Sequence, residues 1–370
     1  MTLSGSGTEG DPYQVWTASD LDEVRNYPSA YFLQKANIDL SEYANWEPIG
    51  AWGSPFTGNY DGGNFTISNL TIFRSTSSYI GLFGYTNNPV FNNIHLTSIN
   101  VTGNWLVGGL VGYNRYNISI NNCSVYGSVE DLYDGEVGLL AGRLERYSSG
   151  YTTTVSNCFS EGTVKGIYAL GGLIGRLWND ATINQCFSKA NVIYTSSSTY
   201  YGYFGGLIGQ IASTTIKNCY ATGSVYGCEQ VGGLIGYASS VIVENCYSIG
   251  SVSGNGEYDI RGLIGYKSGT VTNCYYNSET SGQSDTGNGE PRTTAQMTYP
   301  YASHIDGTYV DWDFSTVWAH DTSGTINNRY PYLLWYAPAP RFRRLTYKVP
   351  YKDESNNIYY AIVRPVRPTS

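Results

Sequence analysis

The chain has 370 residues, of which only 14% are charged, whereas 44 are glycine and 36 are tyrosine. The length allows a large buried core, and the composition differs from that of a helical enzyme, which would be richer in leucine, glutamate, lysine and alanine. The formal net charge of −8 disfavours nucleic acid as the main partner.

The N-terminal residues lack the pattern of a signal peptide, because Met1 is followed by a polar stretch rich in glycine and serine. No run approaches the roughly 18 apolar residues that a membrane helix needs, so we expect no membrane insertion. The first predicted element is a helix over residues 17–26, with Ser19 as its N-cap and acidic residues in its first turn. We expect this helix, within an N-terminal cap of residues 1–45, to cover the exposed edge of the first strands.

A Gly-Gly-Leu-Ile-Gly theme then recurs along the chain, as in 171–175, 205–209 and 232–236. Its central leucine returns every 27 to 34 residues, at Leu82, Leu110, Leu140, Leu173, Leu207, Leu234 and Leu263. A repeat of this length holds several short strands that cannot bury an apolar face alone. The copies must therefore stack on one another.

A second signature, an apolar residue followed by x-Asn-Cys, comes after most copies of the first. Leu70 and Ile94 occupy the cysteine position in early copies, so this position is predicted to face inward. Asparagine tolerates the left-handed backbone of a corner, and stacked amides can hydrogen-bond along a column. The predicted structural ladder comprises Asn122, Asn157, Asn218, Asn245 and Asn273 with Cys123, Cys158, Cys186, Cys219, Cys246 and Cys274.

These repeats predict an all-β protein, a right-handed parallel β-helix (β-solenoid) of about eight coils over residues 46–284. Residues 285–336 interrupt the repeat and contain three tryptophans, so they are predicted to cap the opposite end. Residues 337–370 are predicted to form a small basic β-hairpin extension.

The repeats resemble the GLUG family, which occurs in bacterial adhesins, haemagglutinin-like surface proteins and the non-catalytic parts of some IgA-cleaving metallopeptidases. The resemblance covers roughly residues 5–336 and includes the opening 5–13, Phe56-Thr-Gly-Asn-Tyr-Asp-Gly62 and Tyr330-Pro-Tyr-Leu-Leu-Trp335. It implies a β-solenoid fold and says little about activity, because the repeat is a scaffold.

Extra residues between successive coils carry tyrosines that are predicted to meet at one rim. Tyrosine offers rigid contact area with a polar tip, which suits recognition of a protein or a glycan, although the same rings would also serve simply to shield the solenoid. The candidate binding residues are Tyr133, Tyr168, Tyr194, Tyr200, Tyr201, Tyr203, Tyr226 and Tyr258. A second aromatic column, interpreted as structural stacking, comprises Phe159, Phe187, Tyr220, Tyr247 and Tyr275.

No catalytic or metal-binding constellation stands out in the sequence. The ladder cysteines lack the short paired spacing of zinc sites, and their stacking suits buried, reduced thiols. Cys228 lies outside the ladder and is interpreted as a loop thiol, either free or in an intermolecular bond. The close acidic pair Asp311 and Asp313 favours a structural role, so we expect no catalytic residue, metal or cofactor.

The C-terminal extension carries seven basic and two acidic residues, a net charge of +5 (7 − 2) over 341–370. It is interpreted as an attachment or homo-oligomerisation surface, or alternatively as a solvated hairpin. The candidate attachment residues are Arg341, Arg343, Arg344, Lys348, Arg364 and Arg367.

We therefore expect a non-enzymatic structural or attachment protein. The leading interpretation is a virion component, such as a head or tail fibre or a decoration protein at the virion surface, bound to other virion proteins through the extension. The alternative is a bacterial cell-surface adhesin fragment that binds a host protein or glycan, and the third is a polysaccharide-acting β-helix enzyme.

Overall fold

The computed structural model describes residues 3–146, 150, 152–196, 201–256, 259–301, 307–336, 347–352 and 358–363. Over these residues the chain winds into a parallel β-solenoid of about eight coils, which confirms the predicted fold. Each full coil passes through three stacked parallel sheets, which we call the first, second and third faces. The three faces enclose one continuous apolar core.

The first face follows the Gly-Gly-Leu-Ile-Gly motif in each coil. From Ile174 onward its two short strands per coil become one long strand. The described strands of this face are Tyr13–Val15, Tyr31–Gln34, Asn59–Asp61, Phe83–Thr86, Val90–Asn92, Val111–Asn114, Ile118–Asn121, Ala141–Glu145, Thr153–Ser156, Ile174–Asn184, Ile208–Lys217, Ile235–Glu244 and Ile264–Thr272.

The second face begins after each x-Asn-Cys corner. Its described strands are Ile38–Asp39, Thr66–Ser68, Thr71–Phe73, His95–Gly103, Ser124–Asp131, Phe159–Gly166, Phe187–Ser188, Asn191–Tyr194, Tyr220–Ala221, Val225–Gly227, Tyr247–Ser248, Val252–Gly254, Tyr275–Asn277 and Glu290–Arg292. The third face precedes each glycine motif. Its described strands are Leu106–Gly108, Glu136–Gly138, Ala169–Gly171, Tyr203–Gly205, Gln230–Gly232 and Ile260–Arg261.

The corner between the first and second faces has the conformation that the sequence predicts. The corner asparagines have positive φ angles, from 52° at Asn122 to 61° at Asn69, and Gln185 takes the same role at 54°. The amides do not always bond corner to corner, however. Asn122 donates to Asn93 at 2.7 Å, whereas Asn218 donates to Asn184, the residue before the previous coil's corner, at 3.0 Å.

The N-terminal helix is present as Ala18–Glu23, followed by a 3-10 turn at Val24–Asn26, and Leu21 is buried in the core. The predicted N-cap at Ser19 is wrong, because Thr17 caps the helix. The Thr17 hydroxyl accepts from the backbone N–H of Asp20, and the Asp20 carboxylate accepts from the N–H of Thr17 at 3.0 Å. This reciprocal pair satisfies two N–H groups that Ser19 would leave without partners.

The predicted C-terminal cap divides into two parts. Residues 285–297 cover the last coil, where Glu290–Arg292 extends the second face and a short helix, Thr294–Met297, follows. A second short helix, Ser278–Ser281, precedes them. Residues 307–336, which we call the flanking segment, run back along the side of the solenoid. This segment contains the antiparallel pair Trp318–Ala319 and Tyr332–Leu333 and a 3-10 turn, Leu334–Tyr336.

The flanking segment covers the second aromatic column, which forms the predicted stack. Phe159 and Phe187 lie 4.8 Å apart and nearly parallel, and Tyr220 and Tyr247 continue the stack at 5.0 Å. The indole N–H of Trp335 donates to the carbonyl of Gln185, and that of Trp312 donates to Asn273, both at 3.0 Å. The segment therefore ties together the coils from Phe159 to Tyr275.

The C-terminal extension contains an antiparallel hairpin, Tyr347–Lys352 with Ile358–Val363. Arg341, Arg343, Arg344, Arg364 and Arg367 lie outside the described residues, and only the backbone of Lys348 is described.

Candidate ligand-binding groove

A concave corner joins the third face to the first face in every full coil, and the glycine motif forms its floor. A Cβ atom at Gly209 would lie 2.7 Å from the carbonyl oxygen of Gly175 and 2.8 Å from the backbone nitrogen of Leu170. Backbone from two faces and two coils thus meets at each of these positions, and a side chain has no space there. The stacked corners form a groove parallel to the solenoid axis.

Two columns of outward-facing side chains line this groove. The column on the first face is in register from Tyr85 to Tyr266 and comprises Tyr85, Tyr113, Arg143, Arg176, Gln210, Tyr237 and Tyr266. The column on the third face comprises Leu106, Glu136, Ala169, Tyr203 and Gln230. Because the corner is concave, the two columns contact each other, as Tyr203 and Tyr237 do at 5.1 Å.

Charged and amide side chains occupy the middle of the groove. We call this set the polar centre; it comprises Glu136, Arg143, Glu145, Arg176, Gln210 and Gln230. Glu136 accepts from Arg176 at 3.0 Å and pairs with Arg143 at 3.7 Å, while its side chain is only 3% exposed. Burial raises the pKa of Glu136, against the opposing effect of the two guanidinium groups. Arg143 also pairs with Glu145 at 2.9 Å.

An aromatic cleft of about 360 Å³ opens at the early-coil end of the groove. It is lined by Trp52, Tyr79, Trp105, Leu106, Tyr113, Arg115, Arg143 and Glu145. Trp52 is 65% exposed and Trp105 is 45% exposed, although both belong to a residue type that is usually covered. The ring centres of Trp52 and Tyr79 lie 6.3 Å apart, and the guanidinium group of Arg115 lies 5.9 Å from the centre of the Trp52 ring.

The position of Trp105 depends on Asp131, which is buried in the next coil. Trp105 has a φ of 80°, and its backbone N–H donates to Asp131 at 2.5 Å. The other Asp131 oxygen accepts from Tyr133 and Gly135 at 3.0 and 2.9 Å. Burial raises the pKa of Asp131, and these three backbone bonds oppose that shift. One carboxylate thus holds two neighbouring loops, including a strained tryptophan, beside the cleft.

The structure separates the eight candidate tyrosines into different environments, so a single exposed rim is wrong. Tyr194 is buried against Phe204, and Tyr203 is buried as a groove-lining residue. Tyr133, Tyr201 and Tyr226 are exposed, and Tyr168 is half-buried beside Tyr203. Tyr200 and Tyr258 lie outside the described residues. A binding role for these tyrosines stays a prediction.

Sequence reasoning missed the tryptophans of the cleft and the polar centre. The signal was present, since Tyr113, Arg143 and Arg176 each directly follow the last glycine of a motif. Their outward direction depends on the bend at that glycine, which the strand pattern alone does not show.

The six ladder cysteines are buried and lie in one column, as predicted. The backbone N–H of Cys186 donates to the sulfur of Cys219, and that of Cys219 to Cys246, both at 3.4 Å. Burial raises the pKa of the Cys123 and Cys158 thiols, which keeps them protonated. Cys228 lies in a bend between Val225–Gly227 and Gln230–Gly232, as predicted, but the alternative of an intermolecular bond is wrong, because its side chain is buried in the core.

Asp313, the second residue of the acidic pair in the flanking segment, stabilises a local turn. Asp313 accepts hydrogen bonds from Ser315 and Thr316, and these bonds lower its pKa. Among the described residues, no group of three or more His, Cys, Asp or Glu side chains is arranged to hold a metal ion. Within the part of the chain that the structure describes, no helix combines the length and the apolar character needed to cross a membrane.

Stacked coils, an inward cysteine column and a glycine-floored groove define a structural repeat protein of the parallel β-solenoid class. The GLUG motif model matches residues 103–130 and 200–226, each of which includes or adjoins a glycine motif. The chain therefore carries GLUG motif repeats on a β-solenoid, as its resemblance to the GLUG family predicts.

Two curated relatives are similar to the chain in sequence. A protein of Evansella cellulosilytica described as a Gly-rich membrane protein is 31% identical over 89% of the chain. Halomucin of Haloquadratum walsbyi is 31% identical over 75% of it. The chain spans 45% of the length of the first relative and 3% of the second.

A crystal structure of a Bacteroides ovatus protein described as an immunoglobulin A1 protease has the same fold. Its TM-score is 0.61 at 22% identity, and the match covers 90% of this chain and 94% of the other.

Proposed function

We propose that this chain is a non-enzymatic surface-attachment module, in which the solenoid holds the groove rigidly for recognition of a ligand on another surface. The observation that carries the proposal is the aromatic cleft. Two exposed tryptophans, Trp52 and Trp105, lie together on a stacked β-scaffold. Exposed aromatic patches with polar surroundings are typical of recognition surfaces.

A cell-surface or extracellular location agrees with this function. The relatives carry the names of a membrane protein and of halomucin, and both extend well beyond the part that this chain matches. A repeat scaffold within longer proteins of that kind supports presentation at a surface.

The groove carboxylates favour binding over catalysis. Glu136 and Glu145 are engaged by arginine side chains, and Glu145 also accepts from the hydroxyl of Tyr113 at 2.9 Å. A screen of polysaccharides for newly released reducing ends tests this point, with Asp311→Asn as a control outside the groove. Sustained release by the wild-type chain would establish an enzyme and overturn the proposal.

Attachment is tested by retention of the labelled chain on surfaces. Whole bacterial cells, isolated cell walls and mucin-coated plates would be compared. We expect retention on at least one surface and its loss in a Trp52→Ala, Trp105→Ala double variant. Trp16→Ala is the matched control, because Trp16 is 49% exposed and does not line the cleft. A folded wild-type chain that none of these surfaces retains would contradict the proposal.

The second candidate is a virion component, for which the basic extension is the supporting observation. Its net charge of +5 (7 − 2) over 341–370 contrasts with the acidic remainder, and it includes a separate hairpin. In this hypothesis the extension anchors the chain to other virion proteins or to further copies of itself. Deleting 341–370 would then abolish incorporation into particles and change the native size, whereas unchanged incorporation would exclude the extension as the anchor.

A further inference from the structure

We infer that the ligand of the groove is a neutral polysaccharide, whose sugar rings lie on Trp52 and Trp105 and whose hydroxyl groups reach the polar centre. This inference rests on the proposed attachment function and deepens it by naming the class of ligand.

The first observation is a set of buried polar atoms without hydrogen-bond partners among the described residues. The acceptors are Glu136 Oε2, Gln210 Oε1 and Gln230 Oε1, and the donors are the Nε atoms of Arg143 and Arg176. Gln210 is 5% exposed and Gln230 is 9% exposed. Buried polar groups in folded proteins normally have partners, so a concentration of unsatisfied groups in one groove indicates a polar occupant.

The chemistry of these atoms selects the kind of occupant. Both donors and acceptors are unsatisfied, and a hydroxyl group can donate and accept at once. The charged members of the polar centre cancel, since Glu136 and Glu145 balance Arg143 and Arg176. The polar centre itself would therefore offer a polyanion no net attraction and would present unpaired acceptor oxygens to it, and Arg115 of the adjoining cleft is the one uncancelled charge among the groove residues named above. A neutral polyhydroxylated chain satisfies both kinds of atom.

The second observation is the pair of tryptophans at the end of the same groove. Arg143 both lines the aromatic cleft and belongs to the polar centre, so the two parts are continuous. An indole face carries partial negative charge and is apolar, which suits the C–H face of a sugar ring. Trp52 is oriented by its contacts with Tyr79 and Tyr85, and Trp105 by Asp131, so little ordering is needed on binding.

The test is affinity electrophoresis of the full chain in native gels that contain one polysaccharide each. Dextran, mannan, galactomannan and mixed-linkage β-glucan serve as neutral probes, and alginate and polygalacturonate as anionic probes. We expect retardation by at least one neutral polymer, unchanged in about 1 M salt, where charges are screened within roughly 3 Å.

Three variants locate the site. Trp52→Ala should weaken the retarding interaction about tenfold or more, as loss of a central aromatic anchor does, whereas Trp16→Ala should leave it unchanged. Gln210→Leu removes an unsatisfied buried acceptor, so it should leave the melting temperature unchanged or raise it while weakening binding. If Gln210 had a purely structural role, the variant would lower the melting temperature together with binding.

The outcomes distinguish this inference from the attachment function. Retardation by the anionic polymers alone, lost in salt, would overturn the neutral ligand. No retardation by any probe, with retention on cells intact, would overturn the glycan inference and leave the attachment function standing. Absence of both gel retardation and retention on cells would overturn the glycan inference and the attachment function together. Retardation that survives Trp52→Ala and Gln210→Leu would overturn the groove as its site.

Discussion

Each corner asparagine adopts a left-handed backbone conformation that favours glycine, and it also provides a side chain that can form hydrogen bonds. A left-handed φ costs most residues about 1–2 kcal/mol, and asparagine tolerates it better because its amide bonds locally. At Asn218 the amide also bonds to Asn184 in the coil before. The residue therefore supplies both the turn and a link between coils.

Replacing Asn218 separates these two contributions. Asn218→Ala should lower the free energy of unfolding by about 2 kcal/mol, because it combines left-handed strain with a lost hydrogen bond. Asn218→Gly should cost less, since glycine accepts the φ of 54° and only the bond is lost. Urea unfolding of the two variants checks the order, and an alanine variant as stable as the glycine variant would contradict it.

The tyrosine hydroxyl groups of the aromatic stack differ in whether they have a hydrogen-bond partner. Tyr247 donates to the carbonyl of Pro331 at 2.6 Å, whereas the buried hydroxyl of Tyr220 has no partner among the described residues. Tyr247→Phe should therefore destabilise the fold by about 1–3 kcal/mol, and Tyr220→Phe should be neutral or stabilising. Thermal melts at neutral pH test this contrast.

These tyrosines also make stability depend on pH. Burial raises the pKa of Tyr220 and Tyr247 well above the ordinary value. Their protonated forms are favoured in the folded state, so the resulting stability is complete below the unfolded pKa of about 10 and is lost as the pH rises beyond it. We expect the melting temperature to fall above about pH 10, less steeply in Tyr220→Phe. An equal slope in both proteins would contradict this assignment.

At the scale of elements, the glycine motif forms a rigid corner between the third face and the first face. The last glycine of each motif lies where backbone from the third face approaches that of the first. The bend turns the residue after it outward, which places Tyr113, Arg143 and Arg176 in the groove. The repeat thus encodes the corner and the direction of a variable side chain together.

Gly209→Ala tests the tightness of the corner. The added Cβ would meet backbone atoms 2.7 and 2.8 Å away, so the two faces must separate, at a cost of about 1–3 kcal/mol or more. Gly10→Ala is the control, because its Cβ would meet nothing within 4 Å. Chemical denaturation of both variants should show a loss only for Gly209→Ala, and equal stability would exclude a steric role for the glycine.

At the scale of the molecule, the solenoid is a nearly one-dimensional stack, and the flanking segment connects coils that are distant along it. Trp318 is fully buried and lies about 6 Å from both Tyr220 and Tyr247. In a stack of this kind each coil contacts mainly its neighbours, so stability is distributed along the chain. The flanking segment contacts five successive coils, from Phe159 at Trp335 to Tyr275 at Trp312, and these contacts add cooperativity.

Trp318→Ala should release the flanking segment without unfolding the coils. Loss of a buried tryptophan costs about 3–5 kcal/mol locally. Hydrogen exchange should then show lost protection across 307–336 and retained protection in Ile208–Lys217. Trp16→Ala should change neither region, and uniform loss of protection in Trp318→Ala would show that the segment is part of one cooperative core.

Much of this protein follows from its sequence. Repeated leucine, asparagine and cysteine positions determine the stacking, the inward column and the left-handed corners, because each coil repeats the same local chemistry and can bury its apolar side only against its neighbours. The helix at residue 18 also follows from its capping residues, although Thr17 rather than Ser19 completes the reciprocal pair.

Only the tertiary structure decided the rest. The groove depends on an angle between two faces, and the course of the flanking segment depends on which buried surface it covers. Neither Trp52 nor Trp105 belongs to the repeat signature, and Glu136 meets Arg176 only because the next coil lies above it. Contacts between equivalent positions of successive coils produce a periodic pattern in the sequence. Contacts between other distant parts of the chain produce no such pattern.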